Sequence, residues 1–444
     1  MREQPEGRVR LPDEPIHRIT APLERFMHVE AASGIVLLAA TVAALVLANS
    51  PLSERFLDIW KTEVGLRIGS FEMVHSLKHW INDGLMAVFF FVIGLEVKRE
   101  LLIGELRDPR RAALPVFAAI GGMVVPAGVY LALQAGEPGA RGWGIPMATD
   151  IAFVVGCMAV LGRRVPHGLR VMLLSLAIAD DIGAILVIAI GYTESLNLTA
   201  LFLGLVGLVF VLALSRLGVR NLLAYTVVGA LVWLAFHESG VHATIAGVLL
   251  GLLTPTKAYI SEGLFGEALT RASEIFHGGH WGSEEDRGAK VLRFRQVARE
   301  TIPPVEFLET LLHPWVGFFV MPLFALANAG VPFQLSDLAD PVAQAVAAGL
   351  VIGKPVGIVG LSFIAIRTGL ARLPEGVSWG VLTGGGFLAA IGFTMALFIA
   401  GLALQGEMLD AAKVGVLGAS LVAAVIGMSV LSILLPKRRA AEEG

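Results

Sequence analysis

Twelve stretches of near-continuous apolar residues run through this chain, at 31–49, 78–97, 112–134, 144–161, 168–192, 198–215, 221–236, 240–254, 311–330, 341–366, 378–403 and 410–435. Crossing the hydrocarbon core of a bilayer takes about 20 apolar residues in an α-helix. Several stretches exceed that, which implies tilt. The pattern therefore predicts an all-α polytopic membrane protein with twelve transmembrane helices. Between the first two stretches the segment GLRIGSFEMV, residues 65–74, alternates apolar and polar positions around Gly69-Ser70. That is the pattern of a short β-hairpin, or else of an irregular loop. The connection 255–310 is the one long polar segment, with an amphipathic piece at VLRFRQVARE (291–300). It reads as a solvated connector with surface helices, or as a regulatory or partner-binding insertion.

Composition supports the membrane reading. The chain is 444 residues long, 55% hydrophobic and 16% charged, with a mean hydropathy of +0.74. Soluble domains carry about 25% charged residues. The formal net charge of −3 gives no reason to expect nucleic acid. The single Cys157 has no partner for an intrachain disulfide or a cysteine metal site. No obligate protein partner is evident, so lipid is the expected surrounding.

Charge in the connections orients the chain. With the N-terminus in the cytoplasm, Lys plus Arg number 5, 3, 2, 7 and 2 in the inner connections 98–111, 162–170, 216–220, 255–310 and 367–372. The outer connections 50–78, 135–143, 193–197, 237–239, 331–340 and 404–413 carry 4, 1, 0, 0, 0 and 1. This bias places both termini in the cytoplasm. The expected organisation is a polar tail at 1–28, which has no apolar core behind a basic start and so lacks the form of a cleaved signal peptide, a transmembrane domain at 29–435 and a basic tail at 436–444.

Chemistry concentrates at 147–187, where Asp150 lies in one apolar run and Asp180 and Asp181 in the next. On insertion scales an Asp at mid-bilayer costs roughly 2.5–3.5 kcal/mol. Such groups mark ion or proton sites by default. Adjacent Asp180 and Asp181 point about 100° apart on a helix, so they face different partners. Lys354 in GLVIGKPVG is the expected counter-ion, either structural only or proton-carrying. Gly349, Gly353 and Gly357 beside it form a small-residue face for close helix contact. Asp150 follows Pro146 and Thr149, where a helix can break, and is either a helix cap or an ion ligand. His242 and Asn328 fit packing roles better than cation ligation. There is also an internal echo: AAIGGMVVPAGVYLAL (118–133) resembles AAGLVIGKPVGIVGL (347–361), each preceding a Gly-interrupted span. Paired interrupted helices are the mark of inverted repeats, although shared Gly/Ala content alone gives the same letters.

The motifs ATDIAF, LAIADDIGA, SGVHATIAGV, LLHPW, PLFALANAG, IGKPVGI, IGFTMALFIA and WINDGLMAVFFFVIGLEVKREL together resemble the NhaA family of bacterial sodium/proton antiporters. They fall in order over most of residues 30–430. NhaA itself exemplifies inverted repeats, so the echo and the resemblance are not independent. The resemblance implies an NhaA-like fold with two discontinuous helices crossing at mid-membrane. It implies a Na⁺ site on Asp150 and Asp181 with Thr149 at the break, and a charged pair of Asp180 with Lys354. It further implies a pH-response region of Glu96, Arg99 and Glu100 facing Glu309 and His313. The implied activity is electrogenic exchange of external protons for cytoplasmic Na⁺ or Li⁺ in the bacterial inner membrane. No cofactor or enzymatic chemistry is implied, and a homodimer through the outer hairpin is. The sequence departs from the family pattern at Thr310, where a histidine is familiar, at Glu306, where a base is, at Ala390, which replaces a glycine, and in the longer 255–310 connection. These departures bear on the pH profile. Of other classes, an intramembrane aspartyl protease needs a Gly-x-Gly-Asp context that is missing here, and a passive channel does not need a buried lysine.

Overall fold

The computed structural model describes residues 30–69, 71–193, 196–260, 263–267, 269–270 and 284–435. Both expected tails lie outside these residues. Seven helices are long and apolar enough to cross a membrane: Leu77–Leu102, Pro109–Leu133, His167–Gly191, Leu198–Arg216, Pro304–Asn328, Pro341–Arg367 and Gly406–Leu434. Three bent pairs raise the number to as many as 10. Two shorter apolar helices, Leu222–Glu238 and Thr244–Leu253, occupy the two remaining expected stretches. Each of the twelve apolar stretches therefore corresponds to a helix or a bent pair, but length and apolarity alone qualify fewer than twelve as crossings.

The outward surface is what a bilayer requires. Ile190 is 82% exposed, Ile433 80% and Val160 78%. Large aliphatic side chains in such number on the outside would be a liability in water and are neutral in lipid. The interior is closed by small residues. A Cβ built on Gly357 would lie 2.0 Å from the carbonyl oxygen of Gly121, and one on Gly353 would lie 2.8 Å from Pro126 Cα. The two echoing segments thus pack backbone to backbone, which only glycine permits at this separation. Gly349–Gly353 forms a widened turn in which the Lys354 N–H bonds back to Gly349 O, just ahead of Pro355, which has no N–H to give.

The segment 65–74 is a hairpin, not an irregular loop. Strands β1 (Glu63–Ile68) and β2 (Phe71–Ser76) pair antiparallel, with Leu66 opposite Met73 and Val64 opposite His75. Ahead of it Ser53–Lys61, which had no counterpart among the expected elements, lies at 115° to Ala32–Ala48. The long connection is shorter than its expected 255–310. A helix covers Glu284–Glu300, and the next helix begins at Pro304 rather than 311. Pro304 needs no hydrogen-bond partner at a first-turn position, so polar residues such as Glu306 join a spanning helix that hydropathy alone begins later.

Candidate ion site at the crossed helix breaks

Two of the bent pairs meet at mid-protein. Pro138–Met147 and Ile151–Leu161 are bent by 42°, and Trp379–Ala389 and Phe393–Ala403 by 47°. Their breaks are joined directly by a bond from Asp150 N to Ile391 O of 2.7 Å. A broken helix leaves unpaired N–H groups at one end and unpaired carbonyls at the other, and in lipid each must find a partner within the protein.

Most of the partners are residues singled out from the sequence; Thr394 and Ser420 are the exceptions. Asp150 takes the N-terminal ends: its Oδ1 accepts from Phe153 N at 3.3 Å and its Oδ2 from Thr394 N at 3.1 Å. Thr394 Oγ1 also donates to Oδ2. Ser420 Oγ accepts from Phe393 N at 3.2 Å. The C-terminal ends are served by cations and hydroxyls. Lys354 Nζ donates to Met147 O, and Thr149 Oγ1 lies 2.9 Å from Ala389 O. A carboxylate at helix N-termini and an ammonium at a C-terminus complement both dipoles, so the charges and the breaks stabilise one another.

Asp180 and Asp181 diverge as their helical spacing requires. Asp180 Oδ2 lies 2.7 Å from Lys354 Nζ and 2.6 Å from Thr149 Oγ1, while its Oδ1 is buried without a partner. Lys354 and Asp180 are 0% and 1% exposed. Asp181 turns instead toward a cavity of about 660 Å³ whose wall also includes Thr149, Asp150 and Thr394. Among the described residues Asp181 accepts no hydrogen bond. Asp180 and Lys354 are absent from that wall, so the four charged groups form two sets: an open carboxylate pair and a closed ion pair.

The cavity continues to Glu96, Arg99, Glu100, Glu309 and His313. Arg99 pairs with Glu309 at 3.1 Å, and His313 Nδ1 lies 3.8 Å from Glu96 Oε1 with most of its ring exposed. Glu100 Oε1 accepts from Glu105 N at 2.8 Å. Thr310 also reaches the cavity, whereas Glu306 is exposed. His242 Nε2 is spent on Tyr192 O at 3.0 Å. Asn328 and Asn82 exchange hydrogen bonds, 2.8 Å in one direction and 3.3 Å in the other. Both therefore have the packing roles their contexts suggested. Thr394 is the site residue that sequence reading missed. Its signal was a hydroxyl two residues beyond Gly392, on the span that echoes the one holding Thr149 and Asp150.

Crossed half-helices, buried carboxylates beside their breaks and a compensating buried lysine define a secondary ion transporter. The family model described as Na⁺/H⁺ antiporter 1 matches residues 24–431, and the chain belongs to that family. It is accordingly a multi-pass membrane antiporter exchanging Na⁺ and H⁺, and not an enzyme. A Na⁺/H⁺ antiporter NhaA of Rhodopirellula baltica is 56% identical over 432 residues, covering 97% of this chain and 98% of that protein. A Na⁺/H⁺ antiporter NhaA 2 of Acidiphilium cryptum is 54% identical, covering 96% and 94%. A Na⁺/H⁺ antiporter NhaA of Rhizobium meliloti is 51% identical, covering 97% and 99%. Among solved structures, the sodium proton antiporter MjNhaP1 of Methanocaldococcus jannaschii has a TM-score of 0.48 at 14% identity, covering 95% of each chain.

Proposed function

We propose that Asp150 and Asp181 are the groups for which Na⁺ (or Li⁺) and protons compete, and that Asp180 with Lys354 is the charged pair holding the crossing together. The observation that carries this reading is the shared cavity, in which an anchored carboxylate and one without a hydrogen-bond donor face the same space. Carboxylate and hydroxyl oxygens suit a small hard cation. Two carboxylates in a low-dielectric pocket repel when both are ionised and unoccupied. The site is then either loaded with Na⁺ or protonated, and rocking of one helix set against the other presents each form to opposite sides. With both carboxylates protonated in one form and one Na⁺ bound between them in the other, the two forms differ by one charge, which makes the exchange electrogenic.

The cavity reaches Arg99 and Glu105, in the connection that charge bias assigns to the cytoplasm. In this reading the conformation faces inward, the chain crosses a bacterial inner membrane twelve times, both termini are cytoplasmic, and protons enter as Na⁺ leaves. Glu96, Arg99, Glu100, Glu309 and His313 at the mouth set the pH response through their mutual charge balance. The outer hairpin supports a homodimer by exposing unpaired strand edges; a hairpin-deleted variant that stays dimeric would count against that part. The main test uses inverted vesicles with an acid-inside gradient. Na⁺ or Li⁺ is expected to collapse the gradient, and Asp150→Asn and Asp181→Asn each to abolish that response while the protein stays folded. Near-normal exchange in either folded variant would remove it from the site. Uphill Na⁺ movement driven by the proton gradient separates exchange from passive conduction, and Na⁺ movement driven by an imposed potential tests electrogenicity.

A further inference from the structure

Three histidines far apart in sequence meet away from the carboxylate cavity. His75 is on β2, His79 in the first turn of Leu77–Leu102 and His237 in the last turn of Leu222–Glu238. One ring nitrogen of each lies within 4.8 Å of the others. Asp83 stands beside them, its Oδ2 3.5 Å from both His79 Nε2 and His237 Nδ1. His79 Nε2 is shielded from solvent and makes no hydrogen bond. The walls are rigid aromatic groups. Trp233 stacks on His237 at 5.6 Å and on Trp80 at 6.2 Å. The indole N–H groups are tied to backbone, Trp233 to Asp83 O at 3.1 Å and Trp80 to Val64 O at 2.7 Å.

We propose that His75, His79 and His237, with Asp83 as the neighbouring anion, form a binding site for a divalent transition-metal ion of the Zn²⁺ type. Three imidazoles are donors such ions prefer, and a site built from them excludes Na⁺ as the natural occupant. Zn–N bonds of about 2.0–2.1 Å put tetrahedral ligand atoms roughly 3.3 Å apart, so the nitrogens, within 4.8 Å of one another, close by at most about 1.5 Å on binding. The His75 and His79 rings are stacked at 4.3 Å, and one of them turns to bring its lone pair to the ion. Asp83 then offsets the ion's charge and fixes the ring orientations, the usual task of a carboxylate beside ligating histidines. The ion bridges the hairpin to Leu222–Glu238, two parts that are remote in sequence. None of the four residues lines the carboxylate cavity, so the site is separate from the one for transported Na⁺.

The test uses the full chain, purified in detergent on a histidine-free affinity tag. Co²⁺ is titrated while visible absorption is followed, and Zn²⁺ is then added. One saturable equivalent with the intense spectrum of a four-coordinate nitrogen-rich site is expected, displaced by Zn²⁺, together with a Zn²⁺-dependent rise in melting temperature. His79→Gln and His237→Gln are each expected to weaken binding at least tenfold. His242→Gln, and His277→Gln with His280→Gln, two histidines of the 255–310 connection, should leave it unchanged. Exchange activity in vesicles and the metal-free melting temperature report whether each variant is folded. No saturable Co²⁺ or Zn²⁺ binding by the unaltered protein overturns the proposal, as does binding that survives both single changes or disappears in the His277/His280 variant.

Discussion

Lys354 and Asp180 offer the sharpest quantitative test of how the crossing is held together. Their contact of 2.7 Å is sealed from water, and each has one further main partner, Met147 O for the lysine and Thr149 Oγ1 for the aspartate. Lys354→Met preserves the length of the side chain but strands a carboxylate whose Oδ1 is already unpartnered. Asp180→Asn strands the ammonium. Breaking a buried pair from one side costs about 3–5 kcal/mol. The double variant strands neither charge; it leaves Met147 O without its donor, an unmet acceptor worth about 1–3 kcal/mol. Additive single effects would therefore exceed the measured double effect by roughly 5 kcal/mol. The assay is a double-mutant cycle of melting temperature in detergent at one fixed scan rate, because membrane-protein unfolding is rarely reversible. Both single variants should melt well below the unaltered protein and the double variant above either. Melting losses that simply add would refute the pairing. Vesicle exchange on the same proteins asks a second question. Unchanged charge movement in the double variant would leave Lys354 a structural counter-ion, whereas reduced charge movement would give it a proton to carry.

Three other outcomes follow from the geometry. Thr394→Val removes the hydroxyl that donates to Asp150, a hydrogen bond to a charged group worth about 1.5–3 kcal/mol. The Na⁺ concentration for half-maximal exchange should shift by about tenfold or more, with Thr394→Ser close to normal; equal values for Val and Thr would take Thr394 out of the site. Gly357→Ala places a Cβ 2.0 Å from Gly121 O, an overpacking worth about 1–3 kcal/mol, so its melting temperature should fall. Gly360→Ala, where nothing lies within 4 Å, is the control, and equal melting of the two variants would contradict the close approach. Deleting residues 271–283 should leave exchange intact, since Glu300 keeps its pairing with Arg220 and Arg299 its place over Phe307, 4.6 Å from the ring centroid; a folded, inserted deletion that no longer exchanges would give the connection a functional role.

The apolar runs determined by themselves that this chain lies in a membrane, because twelve such long apolar stretches fit a bilayer and not a water-surrounded fold. Intramembrane charge alone marked Asp150, Asp180, Asp181 and Lys354, since lipid makes each too expensive to keep without use or partner. Adjacency was enough to separate the surroundings of Asp180 and Asp181, because helical geometry cannot aim neighbours the same way. Tertiary structure alone decided which orphan backbone group each side chain serves. That Asp150 reaches the amide of Thr394 depends on two breaks, more than 230 residues apart in sequence, meeting at one point, and that Lys354 reaches Met147 O depends on Lys354–Arg367 packing beside the first of them. The same holds for the three histidines: His75 and His79 are local neighbours, but His237 joins them only because Leu222–Glu238 packs its last turn beside the hairpin. Hydropathy also began the helix at Pro304 too late, because it scores residues one at a time, whereas a proline-led first turn and burial against neighbouring helices carry polar residues into the span. Local pattern thus specified what had to be satisfied, and packing specified by what.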